Sequence, residues 1–294
     1  MSFLLSTAKV NKAIFFGLLI SPTIHSFGQQ VVYKSSSLSV SDNTVKKSYA
    51  TVNPTPEIKN LNKDLLSAPN EVDSKVVIVA KTAPLGLDIN YVPFFGGYTK
   101  SETQLIDDEI FLKDCDKSFT SRNEASDFFA KMGWQYLEEG QKDQSIHRFN
   151  LSWLLNHHNV DAYWGLGVVE YQSGSPSKAI DILTQGLELG ENKNYVMMVD
   201  LATIYIQMAT NKPNAVLEIA NAKKLLETSL DLQPGYTTAW MQMTLVEILE
   251  NNIDKAWETF HKGYDISPSE INLSILGELL SRKEDPKKIF KADR

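Results

Sequence analysis

Phe129-Ala130-Lys131-Met132-Gly133-Trp134-Gln135-Tyr136 returns further along the chain as Tyr163-Trp164-Gly165-Leu166-Gly167, which sets Gly133 and Gly167 34 residues apart. Downstream of them Ser145 and Ala179, Phe149 and Leu183, and Ser152 and Gly186 keep the same spacing of 34. Later in the chain Ala222 and Ala256, Leu226 and Phe260, Ser229 and Gly263, and Pro234 and Pro268 keep it again. A period of this length marks one supersecondary unit copied along the chain, and such units bury their apolar faces by stacking. The residue types have a reason. Two antiparallel helices approach closely only where side chains are small, which accounts for Gly133, Gly167, Ala202 and Thr244 on first helices. Ser152, Gly186, Ser229 and Gly263 do the same on second helices, where the next unit is expected to pack. Phe149, Leu183, Leu226 and Phe260 fill the space between. Pro234 and Pro268 end one pair and open the next, because proline cannot continue a helix interior.

The pattern resembles the tetratricopeptide repeat family, a 34-residue helix–turn–helix with an aromatic, Leu-Gly, Tyr, then Ala, Phe and Pro at set positions. The resemblance spans about residues 124–283. Its fullest copy is Trp240, Met243, Thr244, Ala256, Phe260, Pro268; the first is Phe129, Met132, Gly133, Tyr136, Ser145, Phe149. The second unit departs by ending at Gly190-Glu191-Asn192 without proline. The third (Met198, Leu201, Ala202, Tyr205 to Pro234) is longer: Ala179 and Ala222 lie 43 residues apart, so nine extra residues enter, mostly around Thr210-Asn211-Lys212-Pro213-Asn214. The expected fold is therefore all-α, a solenoid of about four helix pairs. Ile271 to Ser281 would form the capping helix, with residues 284–294 as a polar tail behind it.

Outward from this core the composition changes. Lys9 and Lys12 precede an apolar run from Ala13 to Ile20, Ser21-Pro22 breaks it, and Ser26-Phe27-Gly28 supplies small residues: the pattern of a secretory signal over 1–28. Eight apolar residues are too few to span a hydrocarbon layer of about 30 Å. Residues 29–85 are rich in Ser, Lys, Asn and Pro and read as a disordered tether, broken by the β-branched Val76-Val77-Ile78-Val79. Residues 86–123 hold Tyr91-Val92-Pro93-Phe94-Phe95-Gly96-Gly97-Tyr98, too aromatic for a linker and expected to dock as a strap, and then an amphipathic helix opened by a Ser101–Gln104 capping box.

Charge follows the same division. Residues 1–100 carry 10 Lys/Arg against 6 Asp/Glu, and the remaining residues 19 against 30. The whole chain is at −7, without the basic stripe of a nucleic-acid binder. A single cysteine, Cys115, excludes a disulfide scaffold or a multi-thiolate metal site; it is expected to be buried, with Asp114 and Asp116 raising its pKa. No phosphate loop, nucleophile elbow or C-x-x-C occurs in the sequence. His157-His158 with Asp161 is the one candidate metal group, and adjacent rings point apart. Asn150-Leu151-Ser152 and Asn272-Leu273-Ser274 match glycosylation acceptors, but both are expected to fall within helices. The reading is a chain without cofactor, metal or enzymatic activity.

In stacked helix pairs the first helices line a concave face. One residue past each small position, and along that face, lie Trp134, Leu137, Trp164, Val168, Tyr171, Thr203, Ile206, Met241, Leu245 and Ile248, an apolar and aromatic set without the Lys, Arg and Asn of a carboxylate clamp. The expectation is an exported interaction scaffold, periplasmic or cell-envelope or else secreted. It would bind a protein or peptide segment in that groove, with no nucleic-acid partner and no membrane span after signal cleavage. Part of the set would instead be core between units, as aromatic stripes at helical spacing usually are; a further alternative is an assembly subunit whose groove is filled by its own strap. A metal-dependent hydrolase is the remote third reading.

Overall fold

The computed structural model describes residues 81–291; the signal and the Val76–Val79 run lie outside them. Among the described residues there are ten α-helices and no strand. Two short 3-10 turns, Ile89–Tyr91 and Pro93–Gly97, form the strap and lead into α1 (Glu102–Ser118). The solenoid pairs α2 (Arg122–Glu138) with α3 (Lys142–Leu155), α4 (Val160–Gln172) with α5 (Pro176–Leu189), α6 (Tyr195–Thr210) with α7 (Val216–Leu232), and α8 (Thr237–Leu249) with α9 (Ile253–Ile266). The last helix, α10 (Leu273–Arg282), closes the stack.

Local chemistry sets the boundaries. Ser101 accepts from the Gln104 amide while the Gln104 side chain accepts from the Ser101 amide, the expected capping box. Ser121, Asn159, Asn194 and Asn272 cap α2, α4, α6 and α10 by each accepting a first-turn amide on the side chain, and Pro176 opens α5. Asn272, the other asparagine of an N-x-S triplet, is thus a cap and not an interior residue. The lengthened third unit has helices of 16 and 17 residues, against 13 and 14 in the second and fourth.

The 34-residue register is written in steric contacts. A β-carbon on Gly133 would stand 2.7 Å from the Phe149 ring, and one on Gly167 would stand 2.7 Å from Leu183. Gly165 meets the tip of the same Phe149 ring, so this ring is in contact with its own unit and with the next one. Ser145, Phe149, Ala179, Leu183, Ala222, Leu226, Ala256 and Phe260 are all fully buried. The second-helix small residues serve a partly different purpose from the expected one. Ser152 takes the Ser126 hydroxyl on its carbonyl (2.8 Å), and Ser229 donates to Tyr195 O (3.0 Å). Gly263 lies against Trp240 and Met241, and Gly186 against Tyr163. Each therefore closes its own unit; Gly186 also meets Met197 of the next.

The end of the chain differs from the expected polar tail. Asp285 is buried and accepts the amides of Lys287 (2.8 Å), Ile289 (2.8 Å) and Phe290 (2.9 Å), which curls the chain back on α9. Phe290 then packs edge-on to Phe260 (5.7 Å) and Tyr264 (5.0 Å) and parallel to His261 (6.5 Å). His261, stacked on its other side against Trp257, has Nε2 2.9 Å from Asp285 Oδ1 but off the line of a hydrogen bond. Burial draws the His261 pKa down against the pull of Asp285. Burial would raise that of Asp285, but its three amide donors hold it below the ordinary value. The polar composition of residues 284–294 hid one carboxylate able to fold a turn and one ring able to plug the end of the core.

Candidate functional site

The predicted groove residues divide by burial. Trp164 and Val168 lie in the cluster that joins the second and third units, Ile206 in the next, and Met241 and Ile248 in the one that closes the stack. These five are buried, between 3% and 6% exposed, and present no surface to a ligand. First helices of successive units touch one another, and these five residues are taken up by the packing between them and their neighbours. Trp134 meets Trp164 in this way, edge to face at 5.1 Å. Trp134, Leu137, Tyr171 and Leu245 are half-buried against the same clusters and keep part of their surface open. Thr203, also half-buried, is turned back on its own helix and donates to Val199 O (2.8 Å).

Of those four, Tyr171 borders a concavity. Together with Pro176, Ile204, Gln207, Met208, Asn211, Lys212 and Glu218 it lines a cleft of about 390 Å³. One wall is the end of α4 and the start of α5; the other is the extended turn of the third unit. Ile204 and Met208 give an apolar floor, and Lys212 Nζ pairs with Glu218 Oε1 at 2.7 Å on the rim. That bond holds the Glu218 carboxyl below its ordinary pKa, and burial raises that of the Tyr171 phenol. Immediately before Glu218 stand Val216 and Leu217, 74% and 69% exposed. The sequence signalled the insertion by its length but gave no sign that it built a wall.

A second concave surface is already filled. The strap lies on α3 and α4, where Phe94 packs against Trp153 (5.4 Å) and Tyr163 (5.0 Å) and Tyr91 meets the edge of His147 (5.9 Å). Asn150, discounted as a glycosylation acceptor, is fully buried and binds the strap backbone by three hydrogen bonds. These contacts come from α3, a second helix, and from Tyr163 on α4, a first helix, and none of the residues that make them is among the predicted groove set. The strap covers α3 and the start of α4, and its Phe94 packs on the same buried cluster as Trp134 and Leu137 of that set. Phe94, Phe95, Gly96 and Gly97 run in left-handed backbone (φ 52°, 55°, 67° and 63°), which costs a non-glycine residue on the order of 1–2 kcal/mol.

Two further groups have displaced acid–base behaviour. Asp200 on α6 is buried and accepts from Trp164 Nε1 at 2.7 Å; burial pushes its pKa up to about 7, opposed by that bond. Cys115 is buried beside Phe111 and Phe129. Burial, then Asp116 and Asp114, raises its pKa to about 11, so the thiol is inert. His157 is turned against Trp153 (4.3 Å).

No protein-family model matches the chain, and no curated protein matches it. Solved structures share the repeat arrangement. PilF of Pseudomonas aeruginosa is 19% identical, over 55% of this chain and 70% of that one, at TM-score 0.48. A thermophilic TPR protein of Thermus thermophilus is 17% identical, over 55% and 85%, also at 0.48. The first TPR of RPAP3, solved with an HSP90 peptide, is 18% identical, over 41% and 89%, at 0.35. These likenesses concern the fold.

Proposed function

We propose that this chain is a protein–protein interaction scaffold whose partner seats an apolar side chain in the Tyr171–Met208 cleft and lies over Val216 and Leu217. The observation behind this reading is an open apolar cleft beside two exposed aliphatic residues, all contributed or bordered by the one lengthened unit. Exposed aliphatics next to a concavity are characteristic of a surface that another molecule covers. The four half-open first-helix residues would extend the contact. The signal-like pattern of residues 1–28 supports export, with a bacterial envelope as the working location. Surface carboxylates without an enclosing pocket support binding over catalysis.

A photo-crosslinking amino acid placed at Gln207 and Leu217, with Glu258 on α9 as control, tests the reading in envelope fractions. The expected result is one discrete adduct from the first two positions, absent from the control and lost on Met208→Glu. The same adduct from all three positions, or none from the cleft, would sink it.

A further inference from the structure

The surface beneath the strap is built from α3 and the start of α4, by residues outside the predicted groove set. Its centre is Asn150. The side-chain carbonyl takes the Phe94 amide (2.8 Å), and the side-chain amide gives its two hydrogens to Asn90 O (2.9 Å) and Val92 O (2.8 Å). A carboxamide has two donor hydrogens and an acceptor oxygen, and here all are spent on main-chain atoms. Such a clamp grips any chain of the right path, whatever its sequence, and leaves selectivity to the side chains. Selectivity comes from an aromatic box: Phe94 sits between Trp153 and Tyr163, whose own Nε1 and hydroxyl lie 3.3 Å apart, and Phe95 is buried against Trp153 with the Lys100 ammonium 3.5 Å from its ring centre.

We propose that this is a peptide-recognition site which the strap occupies in cis, and which a segment of a partner protein, carrying an aromatic residue directly after a proline and following the same turned path, enters in trans when the strap leaves. The chemistry of the incoming segment is read from the resident one, Val92-Pro93-Phe94. The resident is not an ideal ligand. It holds two phenylalanines in left-handed backbone, and an incoming segment with glycine in place of Phe95 escapes part of that cost while keeping the ring in the box. Main-chain recognition with pockets for selected side chains is a recurring mode of peptide capture.

The test uses the full chain and a fluorescein-labelled synthetic peptide of residues 87–98, followed by anisotropy. Phe94→Ala loosens the strap and opens the box. The variant is expected to bind the peptide saturably and about tenfold or more tightly than the wild-type chain, whose site is filled. Adding Asn150→Asp, which keeps the shape but offers no hydrogens to the two carbonyls, is expected to abolish binding, as is a peptide carrying Phe94→Ala. Thermal melts followed by circular dichroism verify that each variant is folded; if Phe94→Ala is not, Phe94→Leu takes its place. A folded, strap-loosened variant that ignores the peptide would overturn the proposal, as would equal binding to the Asn150→Asp variant. A wild-type dimer that Phe94→Ala dissociates would replace the partner with a second copy of the chain. None of these readouts involves the Tyr171–Met208 cleft, so either site can fail without the other.

Discussion

Asp200 places a titratable acid where the fold prefers it neutral. Its pKa rises from an ordinary 3.8 to about 7 on burial, so the folded chain holds a proton that the unfolded chain has already released. Between those two values stability falls as pH rises, and above about 7 the loss is complete. Asp200→Asn keeps an oxygen for Trp164 Nε1 and removes the charge. It is expected to raise stability at pH 8 by a few kcal/mol, on the order that such a shift implies, and to match the wild type near pH 4. Urea titrations at both values check this; equal gains at both would refute it. Steric demand is as specific at Gly165, where an added methyl group collides with Phe149. Gly165→Ala is expected to cost roughly 2–3 kcal/mol, with Phe149→Leu recovering part of the loss in a double-mutant cycle. Gly133, Gly167 and Phe149 were legible because repetition exposed them. Trp164 was legible as a repeat residue, with groove and inter-unit core both open to it, because the packing of one first helix on the next is a tertiary property that a single-helix pattern does not encode.

At the scale of elements, the strap and the C-terminal turn were the least readable, for one reason. Each is an irregular segment fixed by a few polar atoms, distant in sequence for the strap and within five residues of Asp285 for the C-terminal turn. Asn150 lies 56 to 60 residues from the atoms it binds, and nothing near it in the sequence marks it. The strap was visible only as an aromatic cluster needing a surface. Its docking brings His147 under Tyr91, where burial, then the neighbouring Arg148, lowers the imidazole pKa to about 4 against the opposing charge of Asp88. A lowered histidine favours the neutral form, so its contribution is complete above the ordinary 6.5 and is lost as pH falls from there toward 4. Amide exchange in residues 88–98 is expected to quicken at pH 5 once the intrinsic pH dependence is corrected, and His147→Gln to flatten that response. At the other end, Phe290→Ala uncovers Phe260 and His261 and is expected to cost about 2 kcal/mol, read from thermal melts. A freely solvated tail would show no change.

Over the described residues the repeat stack is quasi-one-dimensional. Units touch their neighbours, and the apolar clusters form a series along the stack in place of one shared centre. Damage should therefore stay local. Trp257→Ala, at a fully buried site in the last unit, is expected to remove protection from α8, α9 and α10 while leaving α2 and α3 near wild-type values in native-state hydrogen exchange. Uniform loss across all four units would show instead that the stack opens as one body. The repeat count, the all-α class and the lengthened third unit were open to sequence reading, because periodicity and proline punctuation are local. The cleft was not, because it arises only when the extra turn of one unit is set beside the end of another.

The thiol of Cys115 gives the chain a built-in clock for one motion. It sits on α1 beneath aromatic neighbours from α2, and with a pKa of about 11 roughly one molecule in a thousand is ionised at pH 8. An alkylating reagent must therefore wait for α1 to lift away, at which point the group regains ordinary reactivity. The rate of modification thus counts departures of α1 and, through the short Thr99–Ser101 link, gives an independent timing of how often the strap has the chance to follow.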